Sequence, residues 1–362
     1  LKVGKMSVEE ALAAIKPVVS VENDQFFKAH GLHYLGVPEV LNAKGVIDNM
    51  DSVTLLLEKA GEEFEMTFEQ QNSKTFPGNY GIIQSNEAWI DATINFNTPL
   101  WLKDLDRMYW LEYLADKKTV YVRQSEVQDE DDENLSAFYS RVFEFIENNA
   151  VEKLIMDLRL NSGGNNYKNK DVILNLIRCE KINQKGKLFV ILGRRTFSAC
   201  QNLVNELENY SEAIFVGEPT AENVNFMGDS RTEWLPNSQL PVRLSYLWWQ
   251  DKDPRDTRPW TPPHIVVELP FKDYQLNKDP IIETIFNTDN VDIPTDPWTH
   301  ITNLFQEGKL QELRKTAKAY VQDPKYKYHD FEQRFNDAGF QLMGIDNIQG
   351  AIFAFTLNAE LY

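Results

Sequence analysis

Three apolar runs of strand length, each closed by a turn able to carry chemistry, constrain this chain more than any other feature. Leu154-Ile155-Met156-Asp157-Leu158 leads into Arg159-Leu160-Asn161-Ser162-Gly163-Gly164. Leu188-Phe189-Val190-Ile191-Leu192 leads into Gly193-Arg194-Arg195-Thr196-Phe197-Ser198-Ala199-Cys200. Ala213-Ile214-Phe215-Val216 ends in Gly217-Glu218-Pro219-Thr220. Helical spacings separate them: Phe138, Val142, Phe145 and Ile146 before the first run, then Val172, Ile173, Leu176 and Ile177 turned inward before the second. Strands alternating with helices predict an α/β fold with a mostly parallel sheet and right-handed crossovers. Ligands of such sheets collect at the carboxyl edge.

Each turn has a physical reading. Gly163 and Gly164 lack a Cβ, so their backbone can reach positive φ and aim N–H groups outward. Such amides can hold the oxyanion of an acyl-transfer intermediate. Ser198 leaves a strand and opens a helix, where unpaired first-turn amides and the helix dipole favour negative charge. A serine nucleophile suits that environment once a base can take its proton. Alone, Gly-Gly is a tight turn and Ser198 an N-cap. The order and spacing of the three turns together favour the chemical reading.

At these residues the chain resembles a known family. Asp157-x-Arg159-x-Asn161-x-Gly163-Gly164, Thr196-x-Ser198-Ala199 and Gly217-Glu218-x-Thr220 are similar to the core of the tail-specific and tricorn-type serine peptidases. The resemblance implies a crotonase-like core of stacked βα units. It makes Ser198 the nucleophile and the amides of Gly164 and Ala199, with Gly163 beside them, the oxyanion hole. Asp157, Arg159, Asn161, Gly217 and Thr220 become supporting residues. The substrate implied is a peptide or unfolded protein, the location is outside the cytoplasm, and no cofactor is called for. The base departs from the pattern. Asn223 stands where the tail-specific branch has its lysine, and asparagine accepts no proton at neutral pH. The histidine-type branch is therefore implied, with its base on a segment preceding Leu1. Domains follow: a partial PDZ-like module over 1–70, a linker over 71–105, the catalytic domain over 106–289, and a helical tail resembling tetratricopeptide hairpins over 290–362.

Five histidines occur within the chain: His30, His33, His264, His300 and His329. His30 and His33 are three apart in a predicted helix over 22–35, a spacing that can bind metal, but no third ligand cluster accompanies them. His264 precedes a strand and reads as a surface turn residue, with a catalytic role as the sharper alternative. His300 and His329 read as structural.

A net charge of −18 disfavours nucleic acid, since phosphate binding needs a basic face. No apolar run reaches the length of a membrane span. Two cysteines, Cys179 and Cys200, make no disulfide framework.

Ser7-Val8-Glu9-Glu10 reads as a capping box. Asp51–Glu58 and Glu63–Glu69 read as a hairpin whose edge could take a peptide by strand addition. Tyr246-Leu247-Trp248-Trp249-Gln250 lies beside a strand and either lines a substrate groove or packs in the core. In the tail, Ile348-Ile352-Phe355 recurs at helical spacing.

Three functions fit these features. The first is a serine peptidase working through Ser198. The second is a peptide-binding homologue without catalysis, favoured by Asn223 and by Glu222 at a turn glycine position. The third is a thioester lyase or hydratase of the same fold, for which Thr196-Phe197-Ser198-Ala199 would have no purpose.

Overall fold

The structure, a computed structural model, describes residues 1–70, 97–288 and 296–362. The linker over 71–105 therefore falls largely outside the described residues.

The chain opens with β1 (Lys2–Val3) and β2 (Met6–Ser7), followed by α1 (Val8–Ile15). Ser7 Oγ accepts the Glu10 N–H while the Glu10 carboxylate accepts the Ser7 N–H, the capping box read from the sequence. The next helix, α2 (Asp24–His30), is shorter than 22–35 and continues as 3₁₀ turns over Gly31–Gly36. The Phe27 ring lies against Gly31, leaving no room for a Cβ there. Then come α3 (Pro38–Ala43), β3 (Ser52–Lys59) and β4 (Glu62–Glu69). The four strands form a sheet of order β2-β1-β3-β4, antiparallel at each pairing. Its edge strand β4 is exposed along its length, Phe64, Met66 and Phe68 included.

The central sheet has six strands in the order β12-β9-β8-β7-β6-β5. They are β5 (Tyr109–Leu114), β6 (Thr119–Gln124), β7 (Lys153–Asp157), β8 (Leu188–Leu192), β9 (Ile214–Gly217) and β12 (Ile265–Val266). Only the β5–β6 pairing is antiparallel; the rest are parallel. The crossovers run through α4 (Leu135–Asn148), α5 (Asn169–Arg178) and α6 (Ala199–Tyr210). Both faces of β7 and β8 are buried, which explains their uninterrupted apolar runs. One face packs on the three helices through Val120, Leu154, Met156, Val190, Phe138, Val142, Leu176 and Leu203. Ile177 does not join this core: it is 44% exposed, and the buried stripe of α5 is Val172, Ile173 and Leu176.

A two-stranded ribbon, β10 (Asn225–Trp234) and β11 (Pro241–Gln250), leaves the domain between β9 and β12. After β12 come α7 (Phe271–Gln275) and α8 (Pro280–Asn287). The second face of the sheet is covered by Ile281 and Ile285 of α8.

The tail is helical: α9 (Pro297–Gln306), α10 (Leu310–Gln322), α11 (Phe331–Gly344) and α12 (Ile348–Leu361). It has its own core of Ile301, Leu304, Leu313, Ala317, Phe331, Phe335 and Leu357. Trp260 Nε1 donates to Tyr328 O at 2.8 Å, and Lys327 pairs with Glu268, joining tail to sheet domain. The buried face of α12 is not the one its bulky residues suggest. Ile348 and Ile352 are exposed, whereas Gly350, Ala351, Ala354 and Leu357 are buried. Small residues win there because α11 and α12 approach closely, with the Phe355 ring against Gly339.

Candidate active site

Ser198 stands between β8 and α6 at the carboxyl edge of the sheet. Its φ of +54° and ψ of −127° form a combination L-residues avoid. Such strain costs on the order of 1–3 kcal/mol and persists only where the surroundings impose it. The side chain does not cap α6, so Ser198 is not an ordinary N-cap. A strained strand-to-helix turn is also the device that projects a nucleophilic serine in hydrolases.

The Gly-Gly turn lies directly against it. A Cβ built on Gly163 would fall 2.7 Å from Ser198 Cβ and 2.8 Å from Ala199 N. Three contacts fix this approach. Gly163 N–H donates to Asn161 Oδ1 at 3.0 Å, Phe197 N–H to Asn161 O at 3.0 Å, and Val127 N–H to Gly163 O at 2.7 Å. Gly163 has φ +101° and Gly164 φ +140°, where side chains are strained. Gly163 is thus a conformational residue of the turn, because its N–H is already taken by Asn161. Among the described residues the Gly164 and Ala199 N–H groups donate to no protein acceptor.

A cavity of about 240 Å³ opens beside them, lined by Gly164, Tyr167, Ser198, Ala199, Leu247 and Trp249, together with Asn202 and Asp229. Trp249 Nε1 donates to Asp229 Oδ2 at 2.9 Å, and the Tyr167 ring meets Trp249 edge-on at 6.4 Å. Alternation along β11 decides the fate of the aromatic stretch: Leu247 and Trp249 face the cavity, while Tyr246 and Trp248 are 58% and 54% exposed.

Asp157 and Arg159 form a buried network. Arg159 Nε sits 3.0 Å from both Asp157 oxygens, and its terminal nitrogens reach Asp279 at 2.8 and 3.3 Å. Tyr121 Oη donates to Asp157 Oδ2 at 2.7 Å. Asp279 in turn caps α8 through the Ile281 and Ile282 N–H groups. The pair therefore holds the start of α8 to the sheet end, whereas Asn161 is the residue that holds the Gly-Gly turn. Gly217, at φ +115°, would press a Cβ to 2.5 Å from Leu192 O. Thr220 Oγ1 accepts the Thr261 N–H at 2.9 Å, and Thr196 Oγ1 donates to Leu158 O at 2.8 Å.

A buried carboxyl that the sequence does not foretell lies in the turn after β9. Glu222 is 2% exposed and its Oε1 has no hydrogen-bond partner. Glu22 is the titratable neighbour whose charge acts on it. Burial, and then the negative charge of Glu22, push Glu222 well above the usual carboxylate range. Glu22 itself accepts from Asn223 Nδ2 at 2.8 Å. Asn23 anchors the segment, donating to Pro259 O at 2.6 Å and Thr220 O at 3.3 Å.

Four of the histidines have partners of their own. His264 Nδ1 accepts the Phe215 N–H at 2.9 Å and its ring stacks on Phe215. It sits at the entry of β12, beside the middle of β9, and is half-buried and structural. His30 packs on Phe26, which packs on Phe197, and burial with the nearby Arg195 charge lowers its pKa to about 4. His300 Nδ1 lies 2.6 Å from Tyr320 Oη, and His329 stacks on Phe331. Among the described residues no cluster of three or more His, Cys, Asp or Glu could hold a metal ion, and no helix is long and apolar enough to cross a membrane. Cys179 and Cys200 are free and buried.

No known sequence family and no curated protein sequence matches the chain. Solved structures similar to it include mature CPAF complexed with lactacystin, at 12% identity over 80% of this chain and 78% of that one, with a TM-score of 0.44. The photosystem II D1 C-terminal processing protease is 13% identical over 65% of this chain and 62% of that one, with a TM-score of 0.33. A candidate S41 protease from Bacteroides fragilis is 15% identical over 66% of this chain and 67% of that one, with a TM-score of 0.34.

Proposed function

We propose that the protein is a serine hydrolase that cleaves peptides or unfolded protein through an acyl-enzyme on Ser198. The observation that carries this reading is the strained Ser198 turn, opening into one cavity with the unpaired N–H groups of Gly164 and Ala199. Ser198 Oγ attacks the scissile carbonyl and the oxygen that gains charge settles between those two donors. Preorganised donors of this kind are each worth on the order of 10²–10³ in rate. Collapse of the intermediate expels the amine and leaves the acyl group on Ser198, and water then releases it. The N-terminal dipole of α6 favours the developing charge. Leu247, Trp249 and Tyr167 give the cavity an apolar and aromatic wall for a side chain flanking the scissile bond. The Oγ proton passes to a general base, which the resemblance implies to be a histidine.

The alternative is a peptide-binding homologue, favoured by Asn223, whose amide is engaged by Glu22 rather than by Ser198. Hydrolysis of a denatured protein substrate, compared between wild type and Ser198→Ala, separates the two. Turnover lost in Ser198→Ala supports the hydrolase. Peptide binding that is equal in both proteins, with no cleavage by either, supports the binding module.

A further inference from the structure

The ribbon that walls the Ser198 cavity departs from regular geometry at one residue. Along β10, Asp229 stands between the Gly228–Leu247 and Ser230–Ser245 pairs with φ +49°, in mid-strand, where no turn is being made. An extended residue there would lie across from Tyr246, on the face opposite Leu247 and Trp249. The left-handed backbone, which aspartate tolerates better than most residues, instead brings its carboxylate to Trp249. Asp229 Oδ2 accepts the Trp249 Nε1–H at 2.9 Å. Gly228 lets the indole settle against the strand: a Cβ built there would fall 2.7 Å from Trp249 Cδ1 and 2.8 Å from Nε1. Among the described residues Asp229 belongs to no ion pair, and its Oδ1 receives no donor. It is also the one charged side chain in the cavity lining; the rest are small, amide, apolar or aromatic.

We propose that this wall selects a basic side chain, lysine or arginine, on the residue that supplies the scissile carbonyl, with Asp229 as the specificity determinant. Gly164 and Ala199 line the same cavity, so a carbonyl oxygen held between their N–H groups sets its own side chain beside the wall. The aliphatic stem lies along Leu247 and Trp249, as long basic side chains do on apolar surface. The cationic head reaches Asp229 Oδ1 in a charge-assisted hydrogen bond and meets the aromatic rings of Trp249 and Tyr167. An acidic side chain would set a second negative charge against Asp229. The net charge of −18 draws cationic peptides to the surface in the same sense. The inference rests on the hydrolase reading, whose substrate class it narrows.

The test uses two peptidyl diphenyl phosphonates on the full chain. They are identical except that the residue bonded to phosphorus carries a lysine side chain in one and the uncharged norleucine side chain, with the same carbon stem, in the other. Labelling rate constants are measured for wild type, Asp229→Asn and Ser198→Ala, each checked for folding by circular dichroism. Asparagine keeps an oxygen for the Trp249 N–H and tolerates positive φ, so it removes the charge and little else. Wild type is expected to label about tenfold faster with the lysine probe, the scale of a hydrogen bond to a charged group. Asp229→Asn is expected to bring the ratio of the two rates to about one. A purely structural role for Asp229 would slow both probes alike and leave the ratio where it was, which overturns the proposal. So does a wild type that labels at least as fast with the norleucine probe. Wild type labelled by neither probe faster than Ser198→Ala overturns the hydrolase reading itself. Calorimetric binding of the matching lysine and norleucine peptides then decides the pocket separately. Binding of the lysine peptide about tenfold tighter, lost in Asp229→Asn, upholds it, and equal binding of the two overturns it.

Discussion

Replacing Gly163 with alanine addresses the geometry of the site with the fewest assumptions. Gly163 has φ +101°, and its new Cβ would lie 2.7 Å from Ser198 Cβ, 2.8 Å from Ala199 N and 2.8 Å from Phe197 O. Two costs add. Positive φ costs an L-residue about 1–2 kcal/mol. Overpacking adds about 1–3 kcal/mol, and most of the atoms met here are backbone and cannot swing away. The sum is about 2–5 kcal/mol. Gly61→Ala supplies the first cost alone, because Gly61 has φ +85° with nothing within 4 Å of a built Cβ. The difference between the two variants therefore isolates the clash. The atoms that must yield belong to Ser198 and Ala199, the proposed nucleophile and oxyanion donor, and a displacement of about 1 Å there costs on the order of 10²-fold in rate. Thermal denaturation and the second-order rate constant for fluorophosphonate labelling measure both effects. Gly61→Ala should label like wild type with a small loss of stability. Gly163→Ala should unfold at lower temperature than Gly61→Ala and label about 10²-fold more slowly. A folded Gly163→Ala protein that labels at the wild-type rate would refute the placement of the turn against Ser198.

Other perturbations have equally definite outcomes. Arg159→Met strips the partner from two buried carboxylates, Asp157 and Asp279, and should cost about 3–5 kcal/mol in urea unfolding. Burial and the Glu22 charge hold Glu222 protonated well above the usual carboxylate range in the folded state, whereas the unfolded chain releases the proton near about pH 4.3, so wild-type stability falls as pH rises above that value. Glu222→Gln should therefore melt increasingly above wild type as pH climbs, and a constant difference would count against the retained proton. Glu208 behaves oppositely: burial pushes it up, but Arg258 and Lys252 outweigh that and hold its carboxyl below the usual range. Its contribution is present above the unfolded value of about 4.3 and lost as pH falls. Glu208→Gln should show a shallower acid unfolding profile than wild type.

The parallel strands and their turns were readable because they are local. Leu154–Leu158 and Leu188–Leu192 bury both faces and so run apolar without a break, and Gly163, Gly164 and Gly217 mark the positive-φ positions that the turns require. The Glu22–Asn223 contact was not readable. Its members stand at a separation of 201, and no periodicity or motif connects them. Glu222 gave only a negative signal, a bulky acid where a turn glycine was expected. The last helix misled for a different reason. Bulky apolar residues at helical spacing suggest a core face, yet the close α11–α12 approach selects Gly350, Ala351 and Ala354 and leaves Ile348 and Ile352 outside. Gly163 shows how a neighbouring acceptor two residues back reassigns a residue: its N–H points to Asn161 Oδ1, so it shapes the turn rather than lending a free donor.

The central claim is that one hydroxyl and two main-chain donors share a reacting centre. A crystal structure of the phosphonylated protein measures this directly. The account predicts phosphorus bonded to Ser198 Oγ, with the phosphonyl oxygen about 2.7–3.1 Å from both Gly164 N and Ala199 N. A probe bound to another side chain, or a phosphonyl oxygen turned to solvent away from both nitrogens, would contradict it.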